Sequence, residues 1–408
     1  MLKESSCIEG DVSVLEYAEK IRQKMNGLPE VSDEAVLELA ENEILDDSSL
    51  SRLDIASKKK LIRKVFCTLR CELEILQDLA DDPEVSEIMV NGTDKVFAEK
   101  NGRIIRTDIR FENRKQLERI IQRLAAEVSR EMNDLNPIVD ARLKDGSRIN
   151  AVYSNIAIDG PVLTIRKFTK NRMSMKDYID GGGISKDAAE LLKTLVECGY
   201  NIFICGGTSS GKTTFLNILS DYIPKDERIV VIEDSAELQI RNHENLIRME
   251  TKAANAQGKG AVGMRELLRS SLRQRPDRVI VGEVRGPEVI DMLAAMSTGH
   301  DGSLSTGHSN SAEGMLRRLE SLYISGSEIP LEAVRAQIAA ALDIIVHLAR
   351  DRNGVRRVME IAELGDYENG KIGLSSIYKY DPEKGLVKTG NTLQRTEKME
   401  HFGRLRQI

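Results

Sequence analysis

The stretch Gly206 to Thr213, GGTSSGKT, lies between a short apolar run, Asn201 to Cys205, and an apolar helical pattern, Thr214 to Leu219. Its spacing is GxxxxGK(S/T), which has physical content only where a buried strand enters it and a helix leaves it. Glycines let the backbone curl until successive N–H groups point inward, and the helix N-terminus adds the positive end of its dipole. Lys212 is then expected to reach the β- and γ-phosphates of a nucleotide, and the Thr213 hydroxyl to ligate Mg²⁺. Gly206, Gly207, Thr208, Ser209, Ser210, Gly211 and Thr214 complete the cradle. The bland alternative is a Gly-rich turn with a solvated lysine, which the flanking strand and helix oppose.

Around this loop the runs NIFIC, RIVVIE and RVIVGE are short and nearly all apolar, each followed by a helical pattern. Such alternation indicates an α/β domain with a parallel sheet covered on both faces, assigned to residues 186–393. RVIVGE is expected to lie beside the phosphate-loop strand, and DIIVHLAR, VRRVMEIAEL and KIGLSSIYKY read as closing strands. Residues 1–80 read as a helical module: VLEYAEKIRQKM, DEAVLELAENEIL and a longer stretch from Ser51 to Leu79 carry apolar residues at three- and four-residue spacing. Residues 81–168 read as an α+β domain. Its strands are SEIMVNG, KVFAEKNG and RIIRTDIRF, then DGSRINAVYS and GPVLTIRKF, with a helix from about Asn113 to Met132 between the two groups. Asn101-Gly102 is a hairpin turn. Residues 169–185, with Gly181-Gly182-Gly183, read as a linker or hinge, and 394–408 as a disordered tail.

A phosphate cradle needs a carboxylate to position water and complete a metal shell. Glu283 ends RVIVGE, and Glu233 and Asp234 end RIVVIED; in a parallel sheet the carboxyl ends of strands form the ligand crevice, so these residues converge there by topology. Capping of the next helix is the plainer reading. His300 and His308 fall together in TGHDGSLSTGHSNS, a loop–strand–loop. They read as a sensor of phosphate or of a catalytic carboxylate, with a zinc pair or ordinary loop histidines as alternatives. Arg142, Arg148 and Arg166 of the preceding domain are placed to sense a γ-phosphate by bidentate contact, or are surface arginines.

The composition, 41% hydrophobic and 30% charged, excludes wholesale disorder. Residues 1–100 carry 13 Lys+Arg against 23 Asp+Glu, which opposes a nucleic-acid-binding head. Five scattered cysteines, Cys7, Cys67, Cys71, Cys198 and Cys205, make no disulfide framework. Cys67 and Cys71 would share a helix face, as buried residues or as half of a zinc site with no second pair. No signal peptide or run of 18 apolar residues is visible, so a cytosolic protein is expected.

Taken together, the loop at Gly206 to Thr213, the acidic box VIEDSAEL, RVIVGEVRGPE and TGHDGSLSTGHSNS resemble the secretion ATPase superfamily of type II secretion, type IV pili and type IV secretion, over roughly residues 80 to 365. Within it, EVSEIMVNG, NPIVDARLKDGSRINAV and DGPVLTIRKF are most similar to the Flp/Tad pilus assembly ATPases of the CpaF/TadA type. The resemblance implies a RecA-like P-loop ATPase domain preceded by the α+β domain, assembled as a homohexameric ring that clamps ATP between the two domains. It implies that Lys212 and Thr213 hold phosphate and Mg²⁺, that Glu283 activates water, and that Glu233 assists at metal or water. His300 and His308 belong to its histidine box, and Arg142, Arg148 and Arg166 match arginines that approach the nucleotide. The implied partner is an inner-membrane platform protein, with the motor on the cytoplasmic face; no nucleic acid is expected, the rival reading being a RecA-like nucleic-acid motor. Gly282 departs from the pattern of many P-loop proteins, which place a metal-binding aspartate there, and no four-cysteine zinc module is present.

Overall fold

A computed structural model describes residues 13–26, 31–128, 130–168, 173–241, 243–252, 254, 259–351 and 354–402. The first residues of the expected helical module, part of the expected linker (169–172), Cys7 and the end of the expected tail (403–408) lie outside the described residues. The chain divides into two compact units, Met1–Lys170 and Asn171–Ile408.

In the first unit, helices α1 (Val14–Met25), α2 (Asp33–Leu45) and α3 (Ile55–Arg70) each start at a side-chain cap. Ser13, Ser32 and Asp54 accept the N–H groups of Glu16, Ala35 and Ser57, which satisfies backbone donors that the first helical turn cannot. Their apolar faces meet in a small core that includes Tyr17, Ile21, Ile44 and Val65. The expected long helix from Ser51 to Leu79 is broken. After Arg70 the chain is extended at Cys71, Glu74 takes φ +46°, and after a single 3-10 turn over Glu74–Leu76 α-helix resumes as α4 (Gln77–Asp81). Arg119 grips the buried Glu74 carboxylate at 2.9 and 3.2 Å, and the turn sends Leu73, Ile75 and Leu76 into the neighbouring core. Burial there outweighs the propensity for one continuous helix.

That neighbouring core backs a six-stranded antiparallel sheet: β1 (Val85–Asn91), β2 (Lys95–Lys100), β3 (Arg103–Arg106), β4 (Ile138–Arg142), β5 (Arg148–Val152) and β6 (Val162–Arg166), in the order β3-β2-β1-β6-β5-β4. Helix α5 (Arg114–Glu127) buries Leu117, Ile120, Ile121 and Leu124. It stops short of the expected Met132, where Arg130 N–H turns back to the Ala125 carbonyl at 2.9 Å. Strand β4 was not expected; being an edge strand, it buries fully only Val139, too little to leave a period-two signal.

The second unit opens with α6 (Met175–Asp180) and α7 (Lys186–Glu197) and continues as alternating strands and helices. These are β7 (Ile202–Gly206), α8 (Lys212–Ser220), β8 (Ile229–Glu233), β9 (Leu246–Glu250), α9 (Met264–Ser271), β10 (Arg278–Val281), α10 (Val289–Met296), β11 (Leu304–His308), α11 (Ala312–Ile324), α12 (Leu331–Ala341) and β12 (Ile344–Arg350). A meander of β13 (Arg356–Glu368), β14 (Lys371–Asp381) and β15 (Gly385–Lys388) and a last helix, α13 (Glu397–His401), complete it. The sheet order is β15-β14-β13-β12-β7-β11-β10-β8-β9. From β12 to β9 neighbouring strands are parallel, and the meander adds an antiparallel flank. Two apolar layers cover it, one around Leu192, Tyr200 and Phe215, the other around Phe203, Met292 and Ile338. This is the expected α/β class, of the RecA-like kind.

Three expectations change. The RVIVGE strand, β10, does not lie beside β7, because β11 pairs with both. Strands β9 and β15 were not anticipated. The described part of the expected disordered tail is docked. Met399 is fully buried, Lys398 Nζ reaches Asp301 and Asp343 at 2.7 and 2.8 Å, and the buried Glu363 carboxylate accepts the N–H groups of Gln394 and Arg395.

Candidate nucleotide site at the ends of the parallel strands

Every residue of β7 is buried, so the chain leaves the sheet core directly into the Gly206–Thr213 loop. A Cβ on Gly206 would stand 2.4 Å from Ser210 Oγ and 2.5 Å from the Leu348 carbonyl oxygen, so no side chain fits there. Ser209 at φ +59° and Gly211 at φ +92° supply the left-handed turns that close the loop, and α8 begins at Lys212, two residues earlier than the apolar pattern suggested. Thr208 and Ser210 fill out the curl, and Thr213 and Thr214 fall in the first turn of α8. Lys212 is 8% exposed, and its ammonium lies over the loop, donating to the carbonyls of Gly206 at 3.1 Å and Gly207 at 3.0 Å.

Parallel pairing sets His308 directly opposite Gly206, which brings the end of β11 to the loop. His308 Nδ1 lies 3.3 Å from Lys212 Nζ and Nε2 lies 2.8 Å from Glu283 Oε1, a close contact without the alignment of a hydrogen bond. Burial, then the Lys212 charge, lowers the His308 pKa below its ordinary value, so the ring is neutral. Burial alone would raise the Glu283 pKa. The hydrogen bond from Arg285 at 2.8 Å, with the charges of Arg285 and Lys212, more than offsets it and holds the carboxyl below the usual range. Arg285 was not singled out from sequence; its position two residues beyond Glu283 was the available signal.

Glu233 ends β8 and is 4% exposed. Its Oε1 accepts the N–H groups of Glu237 and Leu238 at 2.8 and 2.9 Å, so the carboxylate shapes the acidic-box turn. Burial, against those two bonds, pushes its pKa up to about 7. A Cβ on Gly282 would lie 2.9 Å from Glu233 Cγ. Glu233 thus fills the volume that an aspartate at 282 would need, which accounts physically for the glycine. Asp234, Arg265, Arg269, Arg285 and Glu288 border an adjoining cleft of about 600 Å³.

No group of three or more His, Cys, Asp or Glu side chains that could hold a metal ion occurs among the described residues. This donor set, a threonine hydroxyl and one or two carboxylates, suits Mg²⁺, which keeps water and substrate phosphate as most of its ligands. Structural zinc, which needs a closed set of nitrogen and sulfur ligands, does not fit.

His300 is not brought to this site. It precedes β11 and sits at the C-terminal end of α10, Nδ1 3.2 Å from the Ala295 carbonyl, whereas His308 ends that strand. At about 3.3 Å per residue the strand holds the two histidines apart at opposite ends of β11. In the first unit Arg142 faces Arg148 and Arg148 faces Arg166 across three neighbouring strands. Directly opposed residues share a sheet face, so the three form one basic row, with Glu87 opposite Arg166. The Arg142 guanidinium lies over the Phe168 ring, 5.8 Å from its centre.

Residues 71–374 match the family model described as Type II/IV secretion system protein. A protein of Mycobacterium tuberculosis with a provisional conjugal-transfer name is 36% identical over 313 residues, covering 75% of this chain and 88% of that protein. The type IV secretion system protein VirB11 of Brucella suis is 28% identical over 332 residues, covering 75% and 91%. Among solved structures, that of the pilus retraction motor PilT with bound ADP superposes with a TM-score of 0.51 at 21% identity, covering 82% and 88%, a likeness of fold.

Proposed function

The chain belongs to the type II/IV secretion system protein family and is a P-loop ATPase of it, and from that premise we propose that it hydrolyses ATP to drive assembly of a Flp/Tad-type pilus or secretion of protein. The observation that carries the reading is the convergence of Lys212, His308 and Glu283 at the carboxyl ends of β7, β11 and beyond β10. In it, the inward N–H groups of residues 206–213 hold the phosphates, Lys212 leaves the loop carbonyls for the β- and γ-phosphates, and Glu283 receives the proton of the attacking water. Thr213, with Glu233 assisting, would hold Mg²⁺ together with water and phosphate, and the ion would supply charge neutralisation. Arg142, Arg148 and Arg166 form the basic row to which we assign sensing of a γ-phosphate.

The proposed assembly is a homohexamer, peripheral to the cytoplasmic face of the membrane and docked on a platform protein. No helix among the described residues is long and apolar enough to cross a membrane. A second reading, a type IV secretion or conjugation ATPase, is favoured by the names of the relatives. Replacing Lys212 with Ala tests the chemistry: phosphate release falls to background with the fold intact. Pull-down from membranes with an ATP-locked Glu283→Gln variant separates the two readings, since the captured platform is a pilus or a secretion component. DNA-stimulated, salt-sensitive turnover would instead favour a nucleic-acid motor.

A further inference from the structure

Arg356 opens β13 and lies across the outside of the phosphate loop. Its Nε–H donates to the Ser209 carbonyl at 3.3 Å, and its Cδ stands 2.8 Å from where a Cβ on Gly211 would be. Ser209 and Gly211 are the loop's two left-handed residues, the ones whose conformations turn the amides inward. A charged donor on the carbonyl of Ser209 opposes straightening of that turn. Among the described residues this is the one hydrogen bond the Arg356 side chain makes.

The next two residues of the strand hold the segment by which the chain enters this unit. Arg357 NH1 donates to the Gly182 carbonyl while its Nε bonds Asp351 at 2.8 Å, and Val358 N–H donates to the Gly183 carbonyl at 2.8 Å. A Cβ on Gly183 would fall 2.7 Å from the Tyr178 ring and 2.9 Å from the Arg356 carbonyl oxygen. The Tyr178 ring in turn packs on Phe215 of α8, with centroids 5.2 Å apart. Gly182 and Gly183 are therefore gripped by the strand that braces the phosphate loop and by a ring resting on the helix that follows it.

We propose that Arg356 is a positioning residue for the phosphate loop, and that β13 transmits phosphate binding from Ser209 to the Gly182–Gly183 segment. The proposal rests on the reading of Gly206–Thr213 as a nucleotide site. Arg356 acts through the loop's shape rather than on the reacting atoms. Its contribution is thus the same for every nucleotide that carries a β-phosphate and the same in ground and transition states.

The test uses the full chain with magnesium and either ADP or a non-hydrolysable ATP analogue, comparing wild type with Arg356→Met, Arg356→Lys and Lys212→Ala. Methionine keeps an apolar stem over Gly211 and removes the donor; lysine restores one. We expect R356M to weaken both nucleotides by about tenfold and to raise KM in step, with kcat held within about twofold, and R356K to recover most of the loss. Hydrogen exchange at the Val358 amide should slow when ADP binds wild type and stay unchanged in ADP-saturated R356M. Wild-type affinity in R356M, a loss confined to kcat, failure of R356K to recover, or a wild-type exchange response in saturated R356M would each overturn the proposal. If K212A binds ADP as wild type does, the nucleotide-site reading itself fails, which is a separate result.

Discussion

His308 Nδ1 stands 3.3 Å from the Lys212 ammonium although 96 positions separate the two residues. Lysine has no acceptor, so Nδ1 receives its proton and the ring's own proton sits on Nε2, turned toward Glu283. The imidazole therefore joins the group assigned to the phosphates to the group assigned to water, and it does so as a neutral ring.

Replacing His308 with Asn should lower kcat by about a hundredfold, by misplacing Glu283, with nucleotide affinity changed far less. The pH profile carries a second signature. A lowered folded pKa makes the neutral ring's contribution present above the ordinary imidazole value and lost as pH falls through the depressed one. Wild-type turnover should therefore hold to below pH 6.5, and its acid limb should move to still lower pH in H308N, where the Glu283 carboxylate takes over. Steady-state kinetics from pH 4.5 to 8 measures both.

Glu233 should make stability fall as pH rises. Its folded pKa is pushed from 4.5 to about 7, so the folded state holds a proton that the unfolded state releases. Stability present below the unfolded value is lost between pH 4.5 and 7 and is level above. Glu233→Gln keeps an acceptor for Glu237 and Leu238 and has no charge to bury. In urea unfolding it should gain on wild type across that window, by up to about 3 kcal/mol. A difference independent of pH would show that the carboxylate is ionised throughout.

Restoring the aspartate that many P-loop proteins carry at position 282 should harm this protein. The new Cβ would meet Glu233 Cγ at 2.9 Å, and two carboxyl groups would share one buried corner. Gly282→Asp is expected to cost about 1–3 kcal/mol in thermal unfolding and to reduce turnover. Increased turnover would mean that Glu233 yields its place without loss.

The loop, Glu283 and His308 were legible because each lies in or beside a strong local pattern at a strand end, where topology alone brings residues together. Strand order was not legible. Whether β11 slides between β7 and β10 depends on crossovers rather than on local sequence, and LSTGH, legible as a strand between two loops, is too polar to announce a place at the buried centre of the sheet. The same weakness made His300 and His308 look like neighbours, when the strand sets them at its opposite ends. The break at Glu74 escaped notice because it is stabilised by Arg119, 45 positions away, and Gly282 gained its explanation only once Glu233 was seen beside it.

The docked end of the chain yields its own prediction. Truncation after residue 393 removes Lys398 from Asp343 and strips Glu363, 2% exposed, of the N–H groups of Gln394 and Arg395. Leaving the buried Glu363 carboxylate without partners, while Asp343 keeps the Asn201 N–H, should cost about 3–5 kcal/mol. A truncated protein that melts with wild type would mean that this segment is dispensable to the fold.

The central claim is that Glu283 acts on water while the 206–213 loop, independently of it, holds the nucleotide. The most direct measurement is Glu283→Gln, assayed in parallel for ATP affinity and for phosphate release. The predicted result is wild-type-like binding with turnover reduced by at least about a hundredfold. Turnover close to wild type, or loss of binding together with loss of fold, would contradict it.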